Sequence, residues 1–127
     1  MSLFSSAGMV LVTLMAETPR GPKREGIFAL WLTLRVAEDA FLVPPPPERA
    51  LRRRVILLER RLSSLSCPAP LRRALATALT GLRDPRHEEA ALVLQQLVAP
   101  ARDTLGPEAG DAVSRAARSA AQQVGRR

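Results

Sequence analysis

Residues 48–65 read ERALRRRVILLERRLSSL. Within them Leu51, Val55, Leu58, Leu62 and Leu65 recur at spacings of four, three, four and three. On an α-helix, residues three and four apart share a face, so these five side chains form one apolar stripe. Arg49, Arg53 and Arg60 project from the opposite side, with Arg52 flanking them. Arg54 and Arg61 border the leucine stripe. The pattern predicts a helix that packs on other helices along one side and carries a basic face on the other.

The flanking segments follow the same logic. In residues 71–82, Leu71, Leu75, Ala78 and Leu82 keep heptad register, while Ala74, Ala76, Thr77 and Gly81 form a side small enough for close approach. The intervening SCPAP, residues 66–70, breaks the chain between these two helices. Upstream, residues 27–43 are apolar nearly all round in their first half. Ile27, Leu30, Trp31, Leu34 and Phe41 share one face, and Phe28, Leu32 and Val36 lie on another. Such a helix is expected to be central and covered on more than one side. Glu38 falls inside the first stripe, where a pair with Arg35 one turn back is favoured over a buried functional carboxylate. Pro44 to Pro47 form a stiff connector of about 3.1 Å per residue, whose last proline suits the first turn of the next helix.

Downstream, a helix starting near Arg86 has a stripe of Leu94, Leu97, Val98, Ala101 and Leu105. Pro100 lacks a backbone N–H and is expected to kink or end this helix near Ala99. After Gly106-Pro107, residues 108–124 are rich in alanine. Ala109, Val113, Ala116, Ala120 and Val124 make a thin stripe, which predicts a weakly anchored terminal helix stabilised by a neighbour. At the other end, Leu3, Ala7, Val10 and Leu14 form a stripe in residues 1–16, with helix favoured over a strand at residues 9–15. The ETPRGPKREG stretch, residues 17–26, is expected to be a charged linker between this segment and a bundle domain over residues 27–127.

The expected fold class is therefore all-α: a compact bundle of five or six short helices, built from αα-hairpins with proline-punctuated loops. With three Phe, one Trp and no Tyr, its core must be aliphatic. Segments three and four, and five and six, form hairpins offset by about 40 residues, a spacing near that of helical repeats. The residue match between the two hairpins is poor, so a bundle is preferred over a solenoid.

The net charge is +7, and since Lys23 is the one lysine, 18 of the 19 basic residues are arginine. So lopsided a ratio is expected from a GC-rich genome that supplies arginine codons, and it is discounted as evidence for anion binding. The charge itself still attracts polyanions at low salt. No stretch combines the length and apolarity of a membrane span: residues 3–16 fall short of the roughly 20 required, and residues 27–43 carry Arg35, Glu38 and Asp39. A cytoplasmic location is expected.

The catalytic inventory is thin. His87 is the one histidine, and no second His or Cys stands at ligand spacing from it, so no metal site is expected. The glycine-rich phosphate loops and the Gly-x-Ser-x-Gly elbow are absent. Cys67 is the one cysteine, expected as a small loop residue with no disulfide. No catalytic residue and no cofactor is expected. The reading is a non-catalytic helical interaction or assembly protein: an accessory subunit, adaptor or homo-oligomer. Ile56 and Leu57, off the main stripe of their helix, and Leu3, Val10 and Leu14 are the candidate partner-binding residues. The alternative is a small basic protein that binds nucleic acid or an anionic membrane surface through Arg49, Arg52, Arg53 and Arg60. That surface has no aromatic residues to stack bases and belongs to no named binding motif.

Overall fold

The computed structural model describes residues 4–41, 46–83 and 87–125, with all their side chains except those of His87 and Glu88. These residues form six α-helices and no strand: α1 (Ser5–Glu17), α2 (Pro22–Asp39), α3 (Glu48–Ser63), α4 (Ala69–Leu82), α5 (His87–Leu105) and α6 (Pro107–Gly125). Proline opens α2 and α6, where a missing N–H costs nothing because first-turn donors have no intrahelical partner. Pro47 and Pro68 are the N-caps of α3 and α4. Pro44 and Pro45 lie outside the described residues.

The central helix is α2, which touches all five others. Its Ile27, Ala29, Leu30 and Leu34 are fully or almost fully buried. Buried Thr33 satisfies its hydroxyl by donating to the Ala29 carbonyl at 2.8 Å. All five members of the leucine stripe, Leu51 to Leu65, are buried as expected, and the arginines opposite them are exposed.

The N-terminal segment is a helix, as expected, and it packs on α2 and α6 of its own chain. It differs from expectation in its buried residues and in its connection to α2. Its deepest residues are Phe4, Ala7 and Leu11, while Val10 and Leu14 are half-buried against the core and Leu3 lies outside the described residues. And the stretch expected as a ten-residue linker is mostly helical: Glu17 ends α1, only residues 18–21 connect, and α2 begins at Pro22. The proline read as a breaker is a helix start, because it sits at a first-turn position.

Pro100 does not end α5, which runs through it to Leu105. The reason is tertiary. Val93, Leu94 and Leu97 before the proline and Ala101 and Leu105 after it are all buried, so packing on both sides holds the helix together despite one missing hydrogen bond. Nor is α6 weakly anchored. Its contact with α5 is the most extensive between any two helices. Ala109, Gly110, Ala112, Val113 and Ala116 are all buried. Small side chains let the two backbones approach, so contact area comes from backbone and Cβ atoms rather than long side chains.

The turn between them is a single residue, Gly106, at φ +103°, a left-handed conformation that favours glycine. Its N–H donates to the Arg102 carbonyl at 3.0 Å, satisfying one of the last carbonyls of α5. One turn into α6, a Cβ at Gly110 would stand 2.6 Å from Arg102 Cβ and 3.1 Å from Arg102 Cα. Alanine favours helix over glycine by about 1 kcal/mol, but overpacking against backbone costs about 1–3 kcal/mol. Gly110→Ala is therefore expected to lower stability by up to about 2 kcal/mol in urea unfolding. A stabilised variant would mean that α5 and α6 lie further apart than described.

Candidate functional site: the groove between α2 and α3

The second apolar face of α2 is not closed by the fold. Phe28, Leu32 and Val36 sit one turn apart and remain half-buried. Opposite them α3 presents Leu57, 52% exposed, and the edge of Leu58. Together they line an open groove of about 590 Å³. Arg35, Arg54 and Arg61 stand on its rim. Arg54 forms an ion pair with Asp39 at 2.5 Å, tying the end of α2 to α3 at one end of the groove.

At its other end the groove meets a second cleft of about 520 Å³, with Phe28 and Arg61 lining both. Met15, Arg20, Arg24 and Leu65 continue the surface there. From Arg24 to Asp39 the lining follows sixteen residues of α2, fifteen steps of 1.5 Å or about 22 Å.

Aromatic and cationic groups are organised along this surface. Phe28 and Trp31 stack at 6.2 Å between centroids. Arg35 lies 5.1 Å over the Trp31 ring and Arg61 lies 5.9 Å over Phe28. Both guanidinium groups are thus held against ring faces, each contact worth about 0.5–1 kcal/mol at an exposed site. Trp31 in turn meets α1, whose Met9 and Val12 are exposed beside it.

The structure separates the two candidates on α3. Leu57 is on the groove. Ile56, 38% exposed, shares the outer stripe of the helix with Arg49, Arg53 and Arg60. Those three arginines are exposed on that outer side, and Arg52 pairs with Glu48 at 2.8 Å. Another acid on α3, Glu59, binds Arg83, the C-cap of α4, at 2.6 Å. Val10 and Leu14 lie along a small cleft beside Glu108 of α6. The residues missed from sequence are the groove walls: Phe28, Leu32 and Val36 read as a second buried face because nothing in the pattern distinguishes a covered face from an open one.

Two polar groups have structural duties. Glu38 accepts the Phe4 N–H at 3.1 Å, so its carboxylate caps the positive end of α1. Glu25 accepts the Ser66 N–H at 3.0 Å and fixes the α3–α4 loop to α2. Cys67 in that loop is buried, and burial pushes its thiol above the ordinary value of 9.0; Arg72 opposes the shift and Glu25 reinforces it. It is therefore a protonated, poorly nucleophilic thiol at neutral pH.

His87 begins α5, but its side chain lies outside the described residues. Among the described residues no three His, Cys, Asp or Glu side chains come together to hold a metal ion. No described helix is long and apolar enough to cross a membrane. Comparison with protein-family models, with curated proteins and with solved structures finds no match.

Proposed function

We propose that this chain is a non-catalytic interaction module that docks a protein partner in the groove between α2 and α3. The observation that carries this reading is the open apolar face of Phe28, Leu32, Val36 and Leu57, set between arginines on the two helices. A fold that buries all five leucine-stripe residues of α3 has the material to close such a face, yet leaves Leu57 half exposed beside it. Apolar surface gathered in a cleft and rimmed by polar groups is the usual anatomy of a recognition site.

The outer arginines of α3 support weaker, sequence-independent contact with polyanions. They offer charge without a cleft and without aromatic rings for bases.

The test uses size exclusion of extracts from cells that make the protein. The purified chain is expected to run as a single chain of 13.8 kDa, and the same chain in fresh extract as a larger complex. Leu57→Asp should return it to the single-chain position without lowering its melting temperature. A variant that stays in the complex as well as the native chain does would refute the groove as the docking site.

A further inference from the structure

We infer that the occupant of the groove is an amphipathic helix of a different protein, about four turns long, with acidic residues flanking its apolar stripe. This rests on the docking reading above and specifies its partner. Three observations carry it. The first is shape. The cleft lies between two helices and continues for about 22 Å along α2, the length of about 15 helical residues. A third helix laid there packs its ridges against both neighbours at ordinary interhelical distance.

The second is charge. Five arginines line the continuous surface (Arg20, Arg24, Arg35, Arg54 and Arg61) against two carboxylates, Asp39 and Glu25. Both carboxylates already have partners within the chain, Arg54 and the Ser66 N–H. The surplus is positive along both edges and matches glutamate or aspartate on either side of an apolar stripe. The third observation argues against two copies pairing symmetrically through this groove. The chain carries +7, and symmetric pairing at this face would set one arginine rim on another. A flat bilayer fits less well, since Phe28, Leu32 and Val36 are half-buried walls of a cleft and not a protruding face.

The probe is a synthetic amphipathic peptide of about 16 residues, with leucines at helical spacing and glutamates on both flanks. Its control carries lysine at every glutamate. Binding is followed through Trp31, the one tryptophan, which stacks on Phe28 at the groove wall. The glutamate peptide is expected to bind, and more weakly at about 0.5 M salt than at about 0.1 M. Leu57→Asp and Arg61→Glu should each weaken it by roughly tenfold or more. Arg53→Glu, on the outer face, should change it by less than about twofold. Each variant is first shown to melt like the native chain.

If the lysine peptide binds equally well, or Arg61→Glu has no effect while Leu57→Asp does, the acidic partner is wrong and the groove reading stands. If Leu57→Asp binds normally and Arg53→Glu does not, the groove reading itself is wrong. Failure of every peptide to bind overturns the helical occupant. So does binding of phosphatidylserine vesicles with the same dependence on Leu57 and Arg61 in place of the peptides.

Discussion

Removal of residues 1–16 is expected to cost the protein its cooperative unfolding transition. Phe4, Ala7 and Leu11 are buried in the core, and Val10 and Leu14 pack against it. Full burial of a large apolar side chain is worth about 1.5–3 kcal/mol. Two such residues, an alanine and two half-buried ones sum to several kcal/mol, against a total stability of about 5–15 kcal/mol for a domain. Further losses follow. Phe41 loses its edge-to-face partner Phe4, whose ring centre lies 6.2 Å away, and Glu38 loses the N–H it accepts. The faces of α2 and α6 that α1 covers would meet water, and the shortened chain should aggregate or bind a hydrophobic dye. A thermal melt followed by circular dichroism, with light scattering alongside, checks this. An unchanged melting temperature and mass would show α1 to be dispensable.

Leu58→Ala is expected to destabilise the fold by about 2–5 kcal/mol, and Leu57→Ala by less than about 0.5 kcal/mol. The two leucines are neighbours in sequence with identical chemistry. Leu58 is 6% exposed in the middle of the α3 stripe; Leu57 stands on the groove. Truncating Leu58 leaves a cavity beneath α3, whereas truncating Leu57 removes atoms that already meet water. Paired urea titrations read the contrast directly. Equal, small effects would mean that the α3 stripe does not face the core.

Much of this fold was legible in the sequence because its signals are local. The heptads of α3 and α4 and the placement of proline are decided within a few turns of chain. What was misread depended on distant residues. Pro100 was expected to kink or end α5 near Ala99, and of these the ending does not occur, because buried residues on both sides hold the helix. The alanines of α6 predict close approach of a neighbouring helix, which α5 supplies, but the contact is more extensive than their thin stripe suggests. Pro22 was read inside a linker because the helix it starts has its first polar turn, Lys23 to Glu25, before any apolar stripe begins.

The candidate site was legible only in its parts. Leu57 stood out as an apolar residue off the stripe, and α2 as a helix with two apolar faces. That these surfaces adjoin, and that the second face of α2 stays open, follows from the path the chain takes between α2 and α3. Ile56 carried the same signal as Leu57, but one residue's rotation of about 100° turns it to the outer arginine face.

The most direct test of docking at the groove is site-specific photocrosslinking in cells that make the protein. A photoreactive residue is placed at position 57 in one variant and at position 92 in another. Leu92 on α5 is 53% exposed, matching Leu57, and lines no part of the groove, so it controls for exposed apolar surface in general. The account predicts one discrete adduct from position 57 and none from position 92. The same adducts from both positions, or an adduct from position 92 alone, would contradict it.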